Sequence, residues 1–267
     1  MSKMDEIVSL TLSRARRAME PANRPVSCPE NFVFVTISGA HLYGFPSADS
    51  DIDLRGAHLL PLKQVIGLKA PVETAEVHGA EIDGIELDCV SHDLGKYLRL
   101  LTRKNGYVLE QIFSPLVIFD GGHLEELRTL ARGAMTKHLV HHYKGFFATQ
   151  EKLALKSPTP TAKSVLYLFR VVMTGLHVLR TGEVEANLTK LNESVFRLLL
   201  IPDLITRKVA GAEKGRLSES EFKAAYAEAK KLEAQLDDAF SRSPLADEVQ
   251  NYDALDEFLV RMRMKRD

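Results

Sequence analysis

The feature that most constrains this chain is an abrupt change of pattern between residues 32 and 56. Residues Phe32-Val33-Phe34-Val35-Thr36-Ile37 form an apolar, β-branched run of buried-strand length. Ser38-Gly39-Ala40 interrupts it with small residues, so an anion could approach the backbone there and be held by consecutive N–H groups. After a short spacer comes Ser50-Asp51-Ile52-Asp53-Leu54-Arg55-Gly56. If Ile52 and Leu54 face a core, the two-residue period of a strand turns Asp51 and Asp53 to the other side, roughly 6–7 Å apart along the backbone. Two carboxylates so placed suit Mg²⁺, which takes one or two of them and completes its octahedron with water and phosphate oxygens. An isolated Asp-x-Asp is more often a solvated strand start. A strand, a glycine turn and then Asp-x-Asp is far more restrictive, and it points to phosphoryl or nucleotidyl chemistry.

Bulk properties narrow the setting. The 267 residues are 45% hydrophobic and 27% charged, enough for one large folded domain or two smaller ones. Lys plus Arg number 35 against 36 for Asp plus Glu. No whole-molecule field therefore draws the chain to nucleic acid, and any RNA contact must be a local basic patch. No apolar run approaches the roughly 18 residues of a membrane span, and residues 1–6 open a charged segment without a signal-like apolar stretch, so the expectation is a cytoplasmic protein with no membrane partner. Cys28 and Cys89 are the two cysteines and lack metal-ligand spacing, so they read as buried or incidental thiols.

Along the chain, residues 5–20 predict an amphipathic helix ending in Arg14, Arg16 and Arg17, whose charges suit a helix C-terminus better than RNA. Glu73 to Gly84 predicts a hairpin that returns as Ile85-Glu86-Leu87-Asp88-Cys89-Val90 with Glu86 and Asp88 on its polar face. Ser91 is the expected N-cap of the next helix. From Glu125 the composition turns helical. His138, His141 and His142 cluster there, but no acid completes a zinc-type set. Residues 162–181 predict a helix closed by Gly182, with Lys163, Tyr167 and Arg170 sharing one face. A cation on an otherwise apolar helix needs an anion, either a ligand's or a neighbouring acid's. Ser218-Glu219-Ser220-Glu221 is a capping box for a helix running to about Phe240, and Tyr252 to Met262 predicts the last.

The 38–56 segment resembles the signature of the DNA polymerase beta-like nucleotidyltransferase superfamily, and more closely that of its RNA-repair-pathway polymerase-beta branch. Ser38, Gly39, Tyr43, Gly44, Ser50, Asp51, Asp53 and Gly56 fit the branch pattern, and Ala40 stands where a serine is usual. Asn105 and Glu110 match a further, mainly structural, family segment. The resemblance implies an α+β fold: a polymerase-beta-like palm, a mixed sheet with flanking helices, over residues 1–122, followed by a helical domain over 123–267. It implies a third carboxylate on a neighbouring strand, Asp88 by position with Glu86 in reserve, so that Asp51, Asp53 and Asp88 hold Mg²⁺ or Mn²⁺. Ser38, Gly39, Ala40, His41 and Ser50 would then receive a nucleoside triphosphate such as ATP. Lys163, Tyr167 and Arg170 occupy the place of the family's Lys…His…Arg helix as phosphate ligands. The implied activity is transfer of a nucleoside monophosphate to an acceptor hydroxyl, an RNA 3′ end in the first instance, with pyrophosphate released. A protein or small-molecule acceptor, and a nucleotide- or RNA-binding module without catalysis, are the alternatives. Oligomeric state is not legible.

Overall fold

The computed structural model describes residues 3–20, 23, 28–211 and 215–264. The chain divides into two compact units, one drawn from Met1–Leu42, Asp49–Met135 and Glu248–Asp267, the other from Tyr43–Ala48 and Thr136–Asp247. Elements begin with α1 (Lys3–Met19), β1 (Phe32–Ile37), α2 (Gly39–Tyr43), β2 (Ile52–His58), α3 (Leu62–Val65), β3 (Thr74–Ile82) and β4 (Ile85–Asp93). They continue with α4 (Leu94–Thr102), α5 (Gly106–Ile112), β5 (Val117–Asp120) and α6 (Leu124–Ala134).

The five strands form one sheet in the order β3-β4-β2-β1-β5. The β2–β4 pair is parallel and the others are antiparallel, so the sheet is mixed. Strand β1, between β2 and β5, is buried along its whole length, because helices cover both faces. Val35, Ile37, Ile52, Leu54, Leu87 and Cys89 pack with Ala15 and Ala18 of α1 on one face. On the other, Phe34 meets Tyr97 of α4 edge to face at 5.4 Å, and Thr36 donates a hydrogen bond to the Gln111 carbonyl of α5 at 3.1 Å. This is the α+β, polymerase-beta-like arrangement implied by the signature. The thiols of Cys28 and Cys89 are buried and hydrogen-bond to each other. Arg14 and Arg17 do not simply cap α1, since both reach Asp83 at the hairpin tip, at 3.8 and 2.5 Å.

In the second unit, α7 (Leu139–Lys156) packs on α8 (Ala162–Thr181), followed by α9 (Leu188–Leu191), a π-turn at Asn192–Phe196, α10 (Leu200–Val209), α11 (Glu219–Glu233) and α12 (Leu236–Ser241). α8 opens on a Thr161/Ser164 capping box, and it ends as its sequence predicts at Gly182, which is in the left-handed conformation. The chain then re-enters the first unit as α13 (Tyr252–Met264).

Three expectations are corrected. β4 runs past Ser91 to Asp93, whose carboxylate caps α4 by accepting from Gly95 N; Ser91 is fully buried, and its hydroxyl instead pairs with His58 Nδ1 at 2.9 Å. The helix opened by Ser218 and Glu221 stops at Glu233, and a separate α12 follows. Finally, α8 is long and apolar enough to cross a membrane by length and composition, contrary to the reading of apolar runs. Its apolarity has another cause, since 78% of its most apolar 18-residue window is buried within the protein.

Candidate active site

The 38–56 signature folds as a strand, a single helical turn and a strand. β1 ends at Ile37, and the small-residue turn becomes the start of α2. Gly39 adopts φ +61°, and a Cβ built on it would lie 1.9 Å from Asp53 Oδ2. The glycine is therefore needed by a carboxylate of its own chain, which rests where a side chain would project. Ser38 N, from the residue before Gly39, donates to the Asp53 carbonyl at 2.8 Å, fixing the turn to Asp53 through the backbone as well.

β2 presents its residues as the two-residue period requires. Ile52 and Leu54 are fully buried, and Asp53 and Arg55 lie on the opposite face. Asp51 sits exposed just before the strand. The parallel register of β2 and β4 sets Asp53 directly beside Asp88, so the two side chains share one face at the roughly 4.8 Å spacing of neighbouring strands. Glu86 is paired across β3 with Glu81 and lies exposed. Asp88 is anchored by an irregularity in β3 between Val77 and Ala80: Gly79 N donates to Asp88 Oδ1 at 2.9 Å, and His78 Nδ1 lies 3.5 Å from Oδ2. A glycine inside an alternating strand pattern signals such a bulge, so this support was open to sequence reasoning.

The electrostatics mark Asp53 as the strained member. Burial, the largest influence, raises its carboxyl above the ordinary value; Arg55 opposes this, and Asp88 and Asp51 push it further up. Arg55 Nη2 donates to Asp53 Oδ1 at 2.8 Å, and Nη1 donates to the Leu54 carbonyl at 2.8 Å and the Asp88 carbonyl at 3.4 Å. Tyr107 at the start of α5 also hydrogen-bonds the guanidinium. Arg55 was not singled out from sequence, although its position two residues after Asp53 on one strand face carried the signal.

No set of three His, Cys, Asp or Glu side chains among the described residues closes into a metal shell. The donor chemistry nevertheless suits Mg²⁺: two adjacent carboxylates and a third near enough to raise the charge cost of the first.

The other predicted positions are distributed as follows. Ser38 and His41 are buried and Ala40 is half-buried; His41 Nε2 lies 3.5 Å from the Ser50 carbonyl, closing the signature loop. Lys163, Tyr167 and Arg170 belong to the second unit and differ in burial along α8. Lys163 is exposed, whereas Tyr167 is half-buried against the rings of Tyr43 and Phe45. Arg170 is fully enclosed, its guanidinium 3.9 Å from the Tyr43 ring centroid and 4.9 Å from that of Phe146. Also on α7, Tyr143 is fully buried and Lys144 is bridged to Asp237 at 2.7 Å. His138 and His141 stack on each other, and His142 packs on Tyr143 and Phe146, its pKa lowered to about 4 by burial and by Arg170. These are packing contacts of aromatic rings.

Comparison with known proteins identifies relatives of the chain. An uncharacterized protein of Methanocaldococcus jannaschii is 32% identical over 222 residues, covering 81% of this chain and 87% of the relative. The profile of the RNA repair pathway DNA polymerase beta family matches residues 4–261, which takes in the sheet, the carboxylates and the helices that follow. This chain belongs to the RNA repair pathway DNA polymerase beta family, a DNA polymerase beta-like group.

Proposed function

We propose that this chain is an Mg²⁺-dependent nucleotidyltransferase that moves a nucleoside monophosphate from an NTP to the 3′ hydroxyl of an RNA, releasing pyrophosphate. The observation that supports it most is the Asp53–Asp88 pair on adjacent parallel strands, with Gly39 making room for Asp53. Membership of a DNA polymerase beta-like, RNA repair family favours the same reading.

In this proposal Asp53, Asp88 and Asp51 hold the metal, which when bound supplies charge neutralisation and Lewis acidity toward the phosphates. The chain's own groups do the rest. Asp88, held by the backbone N–H of Gly79, orients the acceptor hydroxyl and accepts its proton. The acceptor oxygen attacks the α-phosphorus in line, the bond to the β-phosphate oxygen breaks, and pyrophosphate leaves with that oxygen. Arg55 carries positive charge beside the carboxylates and limits their mutual repulsion. On α8, Lys163 is the side chain free to meet an anion from solvent, whereas Arg170 could do so only if its aromatic stack opened.

The test is incubation with α-labelled NTPs and Mg²⁺ in the presence of separate RNA and protein pools. Label should enter the RNA, require the metal, and fall roughly a hundredfold or more in Asp53→Asn and Asp88→Asn. Label in the protein pool would move the acceptor to a protein hydroxyl. NTP binding without Mg²⁺ dependence or turnover would replace the enzyme with a binding module.

A further inference from the structure

The candidate site holds a cation of its own. The Asp53 side chain is 28% exposed, the β2–β4 register sets Asp88 beside it, and Asp51 lies just ahead of it in the chain. Against these acids Arg55 Nη2 forms a 2.8 Å ion pair with Asp53 Oδ1. That guanidinium is not a loose surface charge. Its side chain is only 14% exposed and is clamped from several directions: the Leu54 and Asp88 carbonyls accept from Nη1, Asp53 accepts from Nη2, and Tyr107 holds it from α5. A planar fork fixed in this way keeps its orientation and stays charged at every working pH.

Resting on the nucleotidyltransferase reading above, we propose that Arg55 is a built-in counter-ion that stands in for the divalent metal when the site is empty and sets how tightly the metal binds. Without it, Asp53 and Asp88 would stand side by side on two interior strands with Asp51 just ahead of them, and the empty protein would be destabilised by their repulsion. With it, an arriving Mg²⁺ meets carboxylates already partly neutralised, so its affinity is held down to the level at which metal arrives together with the phosphates of its substrate rather than alone. Arg55 is thus a positioning residue, acting on metal occupancy through Asp53 and not on the reacting atoms.

The probe is Mn²⁺ alone, without nucleotide, titrated by electron paramagnetic resonance into the full chain and its Arg55→Met variant, with thermal unfolding measured on both. The variant should bind Mn²⁺ at least tenfold more tightly, about 1.4 kcal/mol, while its metal-free form melts at a lower temperature and gains more from added Mg²⁺. Arg55→Lys should keep the affinity near wild type, because charge and not shape sets it. Arg55→Gln provides a second neutral variant should Arg55→Met fail to fold. Wild-type binding with no tightening in either neutral variant would overturn the role given to Arg55 and leave the nucleotidyltransferase reading intact. Absence of Mn²⁺ binding in wild type and all variants would overturn this inference, and if it persisted with a non-hydrolysable NTP added it would overturn the metal-dependent reading as well. Weaker binding in the neutral variants would show Arg55 to be a scaffold that merely supports Asp53.

Discussion

At Gly39 two requirements fall on one residue: a left-handed φ and an open side against Asp53 Oδ2. Gly39→Ala should cost about 1–3 kcal/mol of stability from the backbone alone and should displace the Asp53 carboxylate, weakening Mn²⁺ binding, which chemical denaturation and metal titration would read separately. Asp53 itself predicts an unusual pH dependence. Its carboxyl titrates above the ordinary value of 3.8 in the folded chain. As pH rises from there, the unfolded chain loses that proton first, so the folded state binds more protons and Asp53 takes stability away. Asp53→Asn should therefore melt no lower than wild type at neutral pH, and any advantage should vanish as pH falls below that window. A melting series from pH 3 to 8 checks this, and a large loss of stability in the variant at pH 7 would contradict it.

Among the elements, β4 does the most. On one face it carries Asp88, on the other Leu87 and Cys89, and at its end Asp93 both caps α4 and receives α13. Asp93 Oδ1 accepts from Arg263 Nη2 at 2.6 Å, Leu60 N donates to Oδ2 at 3.1 Å, and Arg263 Nη1 donates to the Leu60 carbonyl at 3.1 Å. Burial works to raise the Asp93 pKa, but Arg263 and the two backbone N–H groups outweigh it and hold the pKa below 3.8. The stability this gives is present above pH 3.8 and is lost as pH falls through the lower folded value. Arg263→Met leaves a buried carboxylate unpaired and should cost about 3–5 kcal/mol in urea denaturation at pH 7, with a smaller loss at pH 3. The same strand shows where sequence reading ends. The period-two alternation of 85–90 was legible, and with it the shared polar face of Glu86 and Asp88. Where the strand ended was not, because Ser91 and Asp93 are both good caps. Arg263, the partner that favours Asp93, lies 170 residues away in sequence. Arg55 differs in this respect: its place on the Asp53 face was legible from the period of β2, whereas its contact with the Asp88 carbonyl follows only from the β2–β4 register.

Across the whole molecule, each unit carries a histidine held neutral by burial. His92 on β4 and His142 on α7 both have their pKa lowered from 6.5 to about 4, His92 with help from Lys96 and His142 with help from Arg170. An unfolded chain takes up these protons below pH 6.5, whereas the folded one does not until about 4, so stability should fall as pH drops through that interval and level off below it. His142→Phe and His92→Gln should flatten the slope in melting curves between pH 7 and 4. At this scale several strands and the helical second half were legible from periodicity and composition, and their assembly into a mixed sheet from the family resemblance, while the return of α13 to the first unit was not, since nothing local in residues 252–264 names its partner. The central claim is that Asp53 and Asp88 together seat a divalent ion beside the Gly39 turn. Anomalous diffraction from crystals soaked with Mn²⁺ and a non-hydrolysable NTP tests it most directly. The account predicts a manganese peak bonded to carboxylate oxygens of both Asp53 and Asp88 and to phosphate oxygens, and it is contradicted if nucleotide and metal bind with neither carboxylate among the ligands.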